Sequence, residues 1–308
     1  MKKYNFYTML LFVNALIVTA LQGIEGSSIS KKNKIVYMIS PPRSLSVAFL
    51  RMMEARGDFS VMNEPSLASW CLANQQKFGQ EWFKEDTPKS FNEVKNVIFK
   101  KAATSNVFVK EISSIVKDFL VHDTELLQAD NVQFIFLVRN PHHSVLSFYK
   151  KDKLMRKEIK EEDFCHALGY KELYEAFSHI KTHSINRPCI VLSEDLYTHT
   201  EATAKALSTF LNVPFKQDSL EWQRLSDNFL GETWDEVKPQ GIMNIWHDDA
   251  IKSSGFKQPS VYKVDQQGKP TFEEVTDGAH RTICENVYKQ SLYFYNKLLE
   301  KDAFIIKP

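Results

Sequence analysis

Apolar residues in this chain gather into short unbroken runs rather than into alternation. Lys34–Ile39 is one run, Phe59–Met62 a weaker second, Asn106–Lys110 a third, Gln133–Val138 a fourth and Cys189–Leu192 a fifth. A strand that is apolar on both faces is buried between two layers, as in a parallel sheet covered by helices. The stretches between the runs carry apolar residues at helical spacing. Ser44–Arg56 does so through Val47, Ala48, Leu50, Met52 and Met53, and stops at Gly57. Pro141–Lys151 opens with proline at a first helical position. Glu161–Ile185 reads as one long helix through Phe164, Leu168, Leu173 and Phe177. Thr200–Leu211 ends before Pro214, and a last helix runs over about Gly278–Leu299. Strand–helix alternation with right-handed crossovers predicts a three-layer α/β domain, mainly parallel sheet flanked by helices, over residues 31–308. Ser226–Pro270 reads as a long irregular stretch, the kind that forms lids and substrate walls. Trp246-His247-Asp248 lies inside it. Trp70, Phe78, Trp82 and Phe83 are expected either to line an opposite wall or to pack in the core.

The first 30 residues follow a different pattern. Met1-Lys2-Lys3 precedes an apolar run, Phe6–Leu21, and Gly23–Lys34 is small, polar and charged. This reads as a secretory signal and linker, with a membrane anchor as second choice, since the run is short for a span and contains Asn14. The expected location is secreted or membrane-associated through that segment, with cytoplasmic as the alternative. No Asn-x-Ser/Thr sequon supports a glycosylated enzyme, and Cys71, Cys165, Cys189 and Cys284 are too sparse for a disulfide framework.

Charge narrows the chemistry. Thirty-nine Lys and Arg stand against 38 Asp and Glu, so no global basic field draws the chain to nucleic acid, and any anion site is local. Glycine is scarce, at 10 residues, which disfavours a glycine-rich dinucleotide loop. No CxxC is present, so a zinc ribbon or thioredoxin-type site is not expected.

In open parallel sheets ligands sit at the carboxyl ends of strands, on helix N-termini. The first strand is followed by Ser40-Pro41-Pro42-Arg43-Ser44-Leu45-Ser46-Val47 and then a helix. A tight loop, a guanidinium, two hydroxyls and a helix start suit phosphate or sulfate oxygens. The plain alternative is Ser44 as an N-cap and Arg43 as a surface cation. The fourth strand is followed by Arg139-Asn140-Pro141, with Ser147 eight positions beyond Arg139. This suits a second anion, or else an Arg capping strand carbonyls and a packed Ser. A nucleotide with phosphates on both sides of one ribose needs two such sites on one sheet edge. GxxxxGK[ST] is absent, so an ordinary ATP-binding loop is not supported.

The pair Pro42-Arg43-Ser44-Leu45-Ser46 and Arg139-Asn140-Pro141…Ser147 resembles the PAPS-dependent sulfotransferases, which use 3′-phosphoadenosine 5′-phosphosulfate (PAPS). Ser193-Glu194-Asp195-Leu196, Phe210-Leu211-Asn212-Val213-Pro214, Asn63-Glu64-Pro65 and Ser253-Ser254-Gly255-Phe256 resemble further family segments, the last two in a divergent subgroup with a PRSxS loop. The resemblance spans about residues 34–256. It implies a P-loop-like fold and transfer of a sulfuryl group from PAPS to a hydroxyl or amine of a small-molecule, glycan or peptide acceptor. It implies donor contacts from Pro42, Arg43, Ser44, Leu45, Ser46, Val47, Arg139, Ser147, Ser254, Gly255 and Phe256, with protein cations in place of a metal. The family's catalytic histidine position is Ile112 here. Catalysis is therefore expected from Arg43, Lys110 and Glu64, with Glu64 as the base and His122, His142 and His143 in reserve. A magnesium-dependent ATP phosphotransferase and a non-catalytic binder of 3′,5′-bisphosphonucleotides are the competing expectations.

Overall fold

Each apolar run becomes a strand because both of its faces are covered. The structure, a computed structural model, describes residues 32–74, 87–156, 158–225, 240–258, 263–267 and 269–308. In chain order the elements are β1 (Ile35–Ser40), α1 (Ser46–Ala55), β2 (Phe59–Asn63), α2 (Leu67–Ala73), α3 (Phe91–Ala102), β3 (Asn106–Ile112), α4 (Ser113–Leu120) and α5 (Thr124–Gln128). They continue with β4 (Val132–Val138), α6 (Pro141–Met155), α7 (Glu161–Leu168), α8 (Tyr170–His183), β5 (Cys189–Leu192), α9 (Ser193–Thr198), α10 (Thr200–Phe210), α11 (Gln240–Ile251) and α12 (Gly278–Leu299). The sheet is five-stranded in the order β2-β3-β1-β4-β5, and every pairing is parallel. Residues Asn33–Pro308 form one compact unit.

Alternation along β1 explains the unbroken run. Ile35, Tyr37 and Ile39 join one apolar layer with Val94 and Ile98 of α3 and Phe177 of α8. Val36 and Met38 join the other with Phe49 and Met53 of α1 and Leu207 of α10. A third cluster packs Val145 and Leu146 of α6 against Phe164 of α7 and Val287 of α12. Burying one such aliphatic or aromatic side chain is worth about 1.5–3 kcal/mol, so the two covered faces of β1 place it at the centre of the domain.

Two sequence expectations are corrected. The single helix over 161–185 is two helices, because Gly169 adopts φ +63° between α7 and α8. That left-handed cap satisfies the end of α7 as its N–H reaches the Cys165 carbonyl at 3.2 Å, and its own carbonyl accepts from Ser113 Oγ at 2.8 Å. A Cβ at this position would fall 2.5 Å from Ser113 Oγ, so the helix turns where α4 leaves no room for a side chain. Within 226–270, the part read as irregular includes α11, whose Trp246 packs on Phe148 of α6 with ring centroids 5.1 Å apart. The N-terminal segment, Phe78, Trp82 and Phe83 lie outside the described residues. Among the described residues no helix is long and apolar enough to cross a membrane.

Candidate active site

Strand order alone selects the edge. The chain leaves β1 towards β2 on one side and leaves β4 towards β5 on the other, yet β1 and β4 are neighbours. The crevice beyond their carboxyl ends is the topological switch point, where ligands of open α/β sheets bind. The Pro41–Leu45 loop and Arg139 meet there.

The loop is strained and pinned. Arg43 (φ 63°) and Leu45 (φ 65°) are both left-handed without being glycine, and Ser44 between them is not. Such alternation turns successive N–H groups to one side, a concavity suited to an anion. The unpaired N–H groups of the first turn of α1 add to it. The cost of this backbone is met by three carbonyl contacts. The Arg139 guanidinium donates through Nη1 to the Arg43 carbonyl, Ser193 Oγ to the Ser44 carbonyl at 2.6 Å, and Ser44 Oγ to the Pro41 carbonyl at 2.7 Å. Ser44 is thus a loop brace rather than the N-cap, a position held by Leu45. Pro42 lies in the turn, Ser46 is buried at the helix start and Val47 follows it.

Arg43 is the hub of the edge. Its Nε donates to Ser147 Oγ at 2.9 Å, Nη1 to the Trp246 carbonyl, and Nη2 to Asp249 Oδ2 at 2.9 Å. The two sequence motifs are therefore in direct contact, through Arg43–Ser147 and through Arg139–Arg43. Asp248 of α11 binds Lys151 of α6 at 2.6 Å, which fastens α11 across the same edge. His247 is buried here, and burial together with the positive charges of Lys110, Arg43 and Lys151 holds its imidazole well below the usual histidine range. The sequence places Trp246-His247-Asp248 in a stretch expected to wall the site, whereas nothing in it marks Asp249, which arrives through a long-range contact.

Arg139 is buried and is held from its own side. Its carbonyl accepts from Tyr170 Oη at 2.6 Å, and Glu194, which takes the Asn140 N–H at 3.0 Å, adds an opposite charge nearby. His143 is pushed down to about 4, first by burial and then by the Arg139 charge and His142. The His142 ring is bonded to the Thr271 carbonyl at 3.0 Å and is lowered by burial. His122 is exposed and acts electrostatically on His179.

Lys110 and Glu64 form an ion pair at the ends of β3 and β2. Glu64 is itself left-handed (φ 52°), and its N–H donates to the Lys110 carbonyl at 2.7 Å. Beside them the buried Asn63 Oδ1 has no hydrogen-bond partner. Pairing of Asn63 with Lys110, and of Lys110 with Met38 of β1, the strand that leads into the loop, brings these groups to one edge. Ser254, Gly255 and Phe256 follow α11 and are held by Glu221 and Trp222. Gly255 bridges to Glu221, the Ser254 carbonyl accepts from Trp222 N–H at 3.3 Å, and Phe256 packs edge-on to Trp222 at 5.4 Å. Trp70 is half-buried on α2.

No family model matches the chain. A curated relative, branched-chain-amino-acid aminotransferase-like protein 2 of Arabidopsis thaliana, is 26% identical over 233 residues, 74% of this chain. The chain spans 37% of that relative's length. Two solved structures are similar in fold. They are sulfotransferase domains. One is from the curacin biosynthetic pathway, at 18% identity and TM-score 0.42, with 75% of this chain and 95% of that one covered. The other is from the Synechococcus PCC 7002 olefin synthase, at 16% identity and TM-score 0.43, with 86% and 98% covered.

Proposed function

We propose that this edge binds a 3′-phosphorylated adenosine nucleotide and transfers the sulfuryl group of PAPS to an acceptor hydroxyl or amine. The observation that carries the reading is the interlock of the two anion motifs. Arg139 grips the backbone of Arg43, and the Arg43 side chain bonds Ser147. The site fits the donor in kind: a left-handed loop with N–H groups turned outward, a helix start, three cations from different strand ends and an orphaned Asn63 Oδ1 for a polar edge.

In this reading Arg139 and Ser147 face the 3′-phosphate, while Arg43, Lys110 and the loop N–H groups face the phosphosulfate. The acceptor oxygen forms a bond to sulfur, the bond from sulfur to the phosphate oxygen breaks in line, and 3′,5′-bisphosphoadenosine leaves with the electron pair. Positioning and charge stabilisation supply most of the rate, as in phosphoryl transfer. Glu64 takes the acceptor's proton. Lys110, drawn towards the growing phosphate charge, releases a Glu64 oxygen for that proton.

Thermal unfolding with 3′,5′-bisphosphoadenosine and with Mg-ATP tests the donor class. A hundredfold excess over Kd of the true ligand adds about 2.7 kcal/mol of stability. Selective stabilisation by 3′,5′-bisphosphoadenosine is expected. Stabilisation by Mg-ATP alone would point to a phosphotransferase. Binding with no transfer from PAPS to a phenol, a sugar or a tyrosyl peptide would leave a non-catalytic binder.

A further inference from the structure

The group beneath Glu64 is a second carboxyl that the site as described does not use. Alternation along β3 sends Lys110 and Glu111 to opposite faces of the sheet, yet both reach the same turn. Lys110 holds Glu64 through its carbonyl and its ammonium, and Glu111 Oε1 accepts the backbone N–H of Ser66 at 2.9 Å. Between those points lie only Glu64, Pro65 and Ser66, so the left-handed Glu64 is clamped on both sides by one dipeptide of β3. Glu111 is fully buried. Its Oε2, the Ser66 hydroxyl and the Tyr37 hydroxyl of β1 are also buried, and none completes a hydrogen bond of good geometry. The three nonetheless act on one another.

We infer that Glu111 is a positioning residue for Glu64: it fixes the Glu64–Ser66 turn from below, so that the Glu64 carboxylate stays aimed at the acceptor while Lys110 is free to follow the sulfonate. The inference rests on Glu64 being the base. Three features support it. A glycine would ordinarily stand at a φ near +50°, and a glutamate kept there needs external restraint. The pair with Lys110 cannot be that restraint throughout the reaction, because the ammonium is shared with the donor. A buried carboxyl on an apolar sheet face is costly unless it does something a packed side chain cannot. Burial holds Glu111 at about 8, so near neutrality it is a protonated acceptor that adds no negative charge beneath Glu64.

Glutamine keeps the acceptor oxygen and the neutral charge, and leucine removes the acceptor. Wild type, Glu111→Gln, Glu111→Leu and Glu64→Gln are compared in three measurements. These are calorimetric affinity for 3′,5′-bisphosphoadenosine, single-turnover transfer from radiolabelled PAPS to a phenol, a sugar and a tyrosyl peptide, and hydrogen exchange in the peptide covering 63–67. Glu111→Leu is expected to bind the nucleotide within about threefold of wild type, to slow transfer about a hundredfold as Glu64→Gln does, and to lose protection at 63–67. Glu111→Gln is expected to recover transfer to within about fivefold, with protection restored. Transfer by Glu111→Leu near the wild-type rate while Glu64→Gln is inactive overturns the role of Glu111 alone. Wild-type transfer by Glu64→Gln, or no transfer by the wild type, overturns the underlying reading instead. Unchanged exchange at 63–67 in Glu111→Leu overturns the clamp whatever the activities.

Discussion

Replacing Lys110 by methionine will cost the fold about 3–5 kcal/mol, and Glu64→Gln in the same chain will restore most of it. Lys110 has 2% of its side chain exposed and Glu64 10%, and the two form an ion pair at adjacent strand ends. Removing one partner leaves a carboxylate with little water to receive it. Removing both charges leaves two neutral side chains of similar size. The single variant should therefore fall far below wild type in urea midpoint, with the double variant near wild type and m unchanged. Both variants lose transfer, since both lack the cation facing the sulfonate. A loss under about 1 kcal/mol for Lys110→Met would show that Glu64 escapes to solvent and that the pair is a surface contact.

The second large effect is on stability as a function of pH. Glu111 is raised to about 8 from 4.5, chiefly by burial, with Ser66 opposing, Glu64 raising it and Lys110 lowering it. Tyr37 faces it from β1, and Asp123, paired with Lys95, acts on Tyr37 in turn. With a raised folded-state value, the folded protein keeps this proton where the unfolded chain has lost it. The stabilising contribution is complete below 4.5 and is lost as pH rises from there to about 8. The slope is about 1.4 kcal/mol per pH unit, some 4–5 kcal/mol in all. Glu111→Gln lacks this proton. Its unfolding free energy should gain on wild type by that amount between pH 4.5 and 8, whereas parallel curves would mean that Glu111 ionises normally.

Much of the fold was legible because burial on both faces leaves a plain mark, and the five apolar runs became five strands with ends shifted by a residue or two. The break at Gly169 was hidden because Leu168 and Tyr170 are both apolar and continue the helical pattern across it. Helix α11 was missed because Asn244 and His247-Asp248-Asp249 interrupt its apolar residues, although Trp246 packs on Phe148 and Ile251 is buried in the core beside the polar contacts to Arg43 and Lys151. Arg43, Lys110, Glu64 and Arg139 could be placed on one edge from strand ends alone. Their pairings could not, because Arg43–Ser147 and Arg43–Asp249 join positions 104 and 206 residues apart. Glu111 did carry a signal, a carboxyl on the face of β3 that Val107 and Val109 make apolar.

The central claim is that two anion sites grip one ribose, and calorimetric titration of Arg139→Ala against wild type tests it most directly. Binding of 3′,5′-bisphosphoadenosine should weaken by about 1.5–3 kcal/mol more than binding of adenosine 5′-phosphate, the range for a charged hydrogen bond, the loss common to both reporting the brace on the Arg43 carbonyl. Equal weakening of both nucleotides would contradict the claim and reduce Arg139 to a brace of the Arg43 carbonyl.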